Sequence, residues 1–209
     1  MSEMTAELAR ATAFGRRIGL LTHAVKPPSC GLITLRLQLV FSQYLLCRQH
    51  NSAIMLLFAH GALDGSARAL LRPAMESSLR CELLLMIATG KQLGRIAKHD
   101  DYAWPRLESM AKLLDQLQKE DFRTHALETD ATHIHSFTHG GSQAVARNIS
   151  STGIVGLLPN PTEAAAVIRK AALLLANAGI SIARRLRQHD AGLKLSECVN
   201  QPWTDESHP

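Results

Sequence analysis

Aromatic side chains are scarce, at 4% of the 209 residues. A core built almost without them must be mostly Leu, Ala, Ile and Met. Such aliphatic, alanine-rich sequences favour helix on helix packing, whereas strands enrich in β-branched and aromatic residues. The chain also lacks any C-x-x-C pair: Cys30, Cys47, Cys81 and Cys198 are scattered. That excludes a disulfide framework and the usual zinc spacings, and it fits a reducing, cytoplasmic compartment. No apolar run approaches the ~20 residues that cross a bilayer; the longest, Ile54 to Ala59, is far shorter, so no membrane is expected. Met1 to Arg17 mix acids and bases without an apolar stretch, unlike a signal peptide. Absent too are G-x-x-x-x-G-K-[ST], G-x-G-x-x-G after a strand, G-x-S-x-G and the calcium-loop pattern. The nucleotide-binding and hydrolase folds marked by those motifs are excluded with them, and no cofactor is expected.

What remains describes an all-α protein, a multi-helix bundle. The apolar fraction of 46% and charged fraction of 20% are ordinary for a globular chain. The length fits one domain, expected over residues 1–195, with a loose polar tail over 196–209. The net charge of +5 permits a polyanionic partner but is not the dense stripe of a dedicated nucleic-acid binder.

Helix periodicity and punctuation give the order of elements. A first helix runs to about Val25, stopped by Pro27 and Pro28. A second spans Leu32 to Ala59, with Asn51-Ser52 as the place where it kinks or divides. A third covers Ala62 to Thr89, kinked at Pro73 and closed by Gly90. Shorter helices are expected at Gln92–His99, Trp104–Gln118 and Thr129–Thr138, and a loop at Ser150–Pro159. The last helix starts from Asn160 as N-cap and Pro161 at N1, with Glu163 in the first turn, and runs to about Gln188.

Three constellations could carry chemistry. The first is a ladder of His60, Asp64, Arg68, Arg72, Glu76 and Arg80, each four residues from the next and so on one helical face. Alternating signs let Glu76 pair with Arg72 or Arg80, and the arginines suit phosphate or carboxylate. The second is His133-Ile-His-Ser-Phe-Thr-His-Gly-Gly141. His135 and His139 sit four apart, a two-ligand metal spacing that needs a third group such as Asp130 or Glu76. Either histidine could instead move a proton near neutral pH, or be hydrogen-bonded in a structural network. The third is the basic end of the last helix, Arg169, Lys170, Arg184, Arg185 and Arg187, which complements the helix dipole or tracks phosphates.

The stretch Ala67-Arg-Ala-Leu-Leu-Arg-Pro-Ala-Met-Glu-Ser-Ser-Leu-Arg80, followed by Ser136-Phe-Thr-His-Gly140, resembles a broad group of uncharacterised bacterial all-helical proteins. These in turn resemble the HEPN superfamily of helical bundles, over about Leu56 to Arg147. The resemblance implies a HEPN-like homodimer in stress, toxin–antitoxin or phage-defence settings, with RNA or a protein as partner. It also implies Arg72, Glu76 and His139 as site members. Many HEPN proteins are metal-independent endoribonucleases whose signature is an arginine, four to six residues and a histidine. Here Arg95 to His99 and Arg185 to His189 each enclose only three.

The leading expectation is therefore a non-catalytic binding or regulatory module, in which the Arg–Glu–His cluster ties helices together. One alternative is an endoribonuclease using Arg72, Glu76, His135 and His139, with Arg68 and Arg72 on the phosphate. The other is a metal-binding protein using His135 and His139.

Overall fold

In the computed structural model the described residues are 3–29, 33–60, 64–99, 102–128, 149–150, 153–154 and 160–201. They form α1 (Glu3–Thr22), α2 (Leu35–Ala59), α3 (Asp64–Ala69), α4 (Leu71–Met86), α5 (Gly90–Lys98), α6 (Leu107–Gln118), α7 (Phe122–Glu128), α8 (Pro161–Arg185) and α9 (His189–Asn200). A two-residue antiparallel pairing, β1 (Ile149–Ser150) with β2 (Gly153–Ile154), falls where the sequence reads as loop. The protein is all-α, as composition demands. The expected helix over Thr129–Thr138, with His133, His135, His139 and Gly140-Gly141, lies outside the described residues.

α8 is the axis of the bundle. It packs on α1, α2, α4 and α9, with α1 the most extensive partner. Its start is the one read from sequence: the Asn160 side chain accepts hydrogen bonds from the Thr162 and Glu163 amides, and Pro161 fills N1. Two apolar cores meet along it. One gathers Tyr44, Leu84, Leu175, Ile182 and Leu195; the other gathers Ile54, Met75, Leu79, Met110, Leu114 and Ile168. α8 is long and apolar enough to cross a membrane by length and composition, but 67% of that window is buried within the protein. Burial among other helices is the ordinary reason for such a helix in a packed core.

Three sequence expectations change. The long helix expected over Ala62–Thr89 is interrupted at one residue, Leu70, whose backbone stays right-handed helical, and it closes earlier, at Met86. Pro73 has no amide to donate, and its ring crowds the carbonyl of Ala69, four residues back. Gly90 does not close that helix but opens α5. Thr89 is the N-cap there, in a reciprocal capping box with Gln92. α2 runs without a break through Asn51-Ser52, with Asn51 buried inside the bundle.

Ser196 to Asn200, read as the beginning of a polar tail, complete α9, because Ala191, Leu195 and Cys198 recur at helical spacing and are buried. The last carbonyls of α4 are satisfied from a distance. The Arg36 guanidinium on α2 donates to the carbonyls of Leu84 (2.5 Å) and Ala88 (2.6 Å). A cation there also complements the negative end of the α4 dipole.

Candidate functional site

The sequence ladder survives only in part. Arg72, Glu76 and Arg80 fall on one face of α4, as their four-residue spacing requires. Arg72 Nε donates to Glu76 Oε1 at 3.1 Å, and Arg80 Nη2 donates to Glu76 Oε2 at 2.9 Å. Both carboxylate oxygens of Glu76 are thus occupied by arginines, in a half-buried position. The earlier rungs precede the interruption at Leu70. Arg68 on α3 is buried and turned to Glu163 at the start of α8, 3.2 Å away, with its guanidinium 6.0 Å above the Phe58 ring. His60 is exposed and caps the end of α2. The Asp64 side chain is outside the described residues.

At its far end the ladder meets aromatic residues. The Arg80 guanidinium lies 5.1 Å from the Trp104 ring centroid. Trp104 packs edge-on against Tyr102, with centroids 5.1 Å apart, and Arg95 of α5 stands 5.9 Å from the Tyr102 ring. Cations over aromatic faces are favourable contacts. Here they join α4, α5 and the link before α6 into one polar edge.

A second cluster, deeper than the ladder, has no counterpart in the sequence reading. Glu82 on α4 is 1% exposed and Arg123 on α7 is 3% exposed. Arg123 Nη2 donates to Glu82 Oε2 at 2.6 Å, and its Nη1 donates to Asp115 at 3.0 Å and to Glu120 at 3.0 Å. Ser181 Oγ on α8 and Gln118 on α6 add hydrogen bonds to Glu82, each 3.2 Å. Burial by itself would raise the Asp115 pKa. Hydrogen bonds from the Thr124 hydroxyl and amide, and from Arg123, outweigh it and hold that carboxyl below its usual range. Arg123 is likewise destabilised as a cation by burial but is held more firmly charged by Glu82 and its neighbours. This is a satisfied ionic clasp joining α4, α6, α7 and α8.

One signal for it exists in the sequence. Glu82 stands between Cys81 and Leu83-Leu84-Leu85. A carboxylate inside such a run on a core helix must find a cation. Nothing local names that cation, because Arg123 is 41 residues away.

Beside the clasp the described residues leave a cleft of about 610 Å³, lined by Leu85, Met86, Gln118, Glu120, Ser181, Arg184 and Arg185. A smaller pocket of about 150 Å³ shares Gln118, Glu120, Ser181 and Arg184 and reaches Arg123, Asn177 and Asn200. Arg184 and Arg185, read in sequence as dipole complements, are exposed at the end of α8 and border this space. Arg187 follows in left-handed backbone, with φ of 57°, where the chain turns into α9.

The described thiols are buried. Desolvation pushes the Cys47 pKa up to about 12, with the nearby Glu82 charge adding to it, and raises Cys81 well above its ordinary value for the same two reasons. Neither is a nucleophile at neutral pH. Among the described residues no three His, Cys, Asp or Glu side chains converge as metal ligands. His135 and His139 lie outside the described residues, so of the four predicted catalytic residues only Arg72 and Glu76 are seen together.

Residues 44–200 match a family model described as a family of unknown function, DUF6988. No curated protein and no solved structure matches the chain.

Proposed function

The chain belongs to DUF6988, a family of unknown function, and from that premise we propose that it is a non-catalytic binding or regulatory module. The observation that carries this reading is Glu76, whose two oxygens are both taken by arginines of its own helix. A carboxylate held between two arginines is committed to the helix surface, and arginines committed to it are poorly placed to hold a phosphate. The buried Glu82–Arg123 clasp is saturated in the same way. Ligand contact falls instead to the cleft bordered by Arg184 and Arg185, which suit an anionic group. The finer setting, a HEPN-like homodimer acting in the bacterial cytoplasm in stress, toxin–antitoxin or phage defence, rests on the resemblance of Ala67–Arg80 and Ser136–Gly140 alone.

Two measurements test the module against its alternatives. Purified protein incubated with total RNA, with and without a chelator, is expected to leave the RNA as intact as a His139→Ala control does. Cleavage that exceeds the control would establish the endoribonuclease instead, and chelator-sensitive cleavage would bring back a metal at His135 and His139.

The second is the stability of Glu76→Ala. Removing the shared carboxylate leaves Arg72 and Arg80 side by side. Exposed pairs are worth at most ~1 kcal/mol and broken buried ones 3–5, so this half-buried triad should cost about 1–2 kcal/mol. At ~2–4 °C per kcal/mol for a chain of this size, Tm should fall by ~2–8 °C. An unchanged Tm together with lost activity would make Glu76 a functional rather than an architectural residue.

A further inference from the structure

Trp104 packs against both apolar cores, yet the stack it forms with Tyr102 is not wholly buried there. Tyr102 and Trp104 are only half-buried, and they are two of the four Tyr and Trp residues in the chain. Both carry a guanidinium against the ring, giving a continuous series Arg95, Tyr102, Trp104, Arg80. α5, which leads into it, has Lys91, Arg95 and Lys98 at i, i+4 and i+7, so its cations share one face. All three are exposed, and Arg106 is exposed just beyond the rings. The opposite face of α5 is anchored by buried Leu93 and half-buried Ile96 in the core. The basic face is therefore held outward by the fold.

We propose that the α5 face and the Tyr102–Trp104 stack form a binding surface for single-stranded nucleic acid. Aromatic rings and guanidinium planes accept unpaired bases by stacking, without regard to sequence, while flanking lysines and arginines follow the phosphates. A duplex keeps its bases stacked on each other and has none to offer. The paired aspartates Asp100-Asp101 in the intervening link reduce the charge of the segment, so stacking has to supply much of the affinity. The proposal rests on reading the protein as a binder that leaves its ligand intact, and the surface is separate from the cleft beside Ser181.

Tryptophan fluorescence tests it. The chain has Trp104 and Trp203, so a Trp203→Phe background isolates Trp104. Titration at low salt with a 12-nucleotide oligo-U or oligo-dT should quench Trp104, and comparing the two shows whether the sugar matters. A 12-base-pair duplex should bind at least tenfold more weakly. With about four phosphate contacts, the log–log salt slope for a single strand should be about −3. Lys91→Ala with Lys98→Ala, both at exposed positions, should flatten the slope by about 1.4. Tyr102→Ala should weaken binding about tenfold with an unchanged slope.

Equal affinity for duplex and single strand would overturn the proposal, since charge alone would explain it. So would anionic phosphatidylserine vesicles quenching Trp104 where the oligonucleotides do not. Absence of binding, with the oligonucleotide intact, would overturn the surface and leave the module reading standing. Stacking-dependent binding followed by cleavage would support the surface and overturn the module reading.

Discussion

Glu82→Ala should be the most damaging single substitution in the polar part of the molecule, lowering stability by about 3–5 kcal/mol. The cost does not come from the lost attraction alone. Arg123 would stay in place, 3% exposed, with a charge that burial opposes and only Asp115 and Glu120 to offset it. Ser181 and Gln118 would lose their acceptor at the same time. Thermal unfolding followed by circular dichroism should show Tm lower by ~6–20 °C. The companion variant Glu82→Gln keeps an acceptor for Arg123, Ser181 and Gln118 and should recover part of the loss. A Glu82→Ala protein within 1 kcal/mol of the parent would mean that the clasp is not buried in solution as it is here.

Gly179→Leu should be the second. A Cβ at this position would come within 2.9 Å of Tyr44 Oη and 3.0 Å of Leu195 Cδ1. Tyr44 is fully buried and spends its hydroxyl on the Thr22 carbonyl, 3.3 Å away, so the ring has little freedom to withdraw. A leucine gains ~1 kcal/mol over glycine in helix propensity, against overpacking of 1–3 kcal/mol or more and about 1 kcal/mol for the hydrogen bond. The net loss is expected to be about 2 kcal/mol, read from urea denaturation midpoints. Gly179→Ala should be milder yet still destabilising, and Tyr44→Phe in that background should restore part of the loss by removing the oxygen the new methyl meets. An Ala variant more stable than the parent would show that propensity wins and that the close approach is relaxed.

These two sites mark how far the sequence could be read. Elements signalled by neighbouring residues were legible. Asn160-Pro161 with Glu163 announces the start of α8, and the spacing of Arg72, Glu76 and Arg80 announces their ion pairs. Local punctuation was harder where one residue serves two helices. Thr89-Gly90 looks like an end and is a beginning, because the Thr89 cap and the Gln92 reply outweigh a glycine's habit of closing helices. Pro73 signals a disturbance in the helix, but nothing local signals that Arg68 meets Glu163 of α8. The clasp was illegible as a pair because its partners are separated by 41 residues. Gly179 carries no local sign of the close approach, because Tyr44 comes from a helix far away in the sequence.

The pairing of α1 with α8 has a consequence for how the chain is made. α1 is synthesised well before its main partner, yet the surface it covers belongs to a helix that ends at Arg185. On the order of 160 residues separate them, and at roughly 5–20 residues per second synthesis takes about 10–30 s to deliver the partner. Throughout that interval Ile18 and Ala11, fully buried at the end, have only the smaller native contact with α2 to shelter them. α1 is thus open to chaperones and to wrong neighbours until α8 arrives, and that pairing joins it to both cores, Ile18 in one and Ala11 in the other.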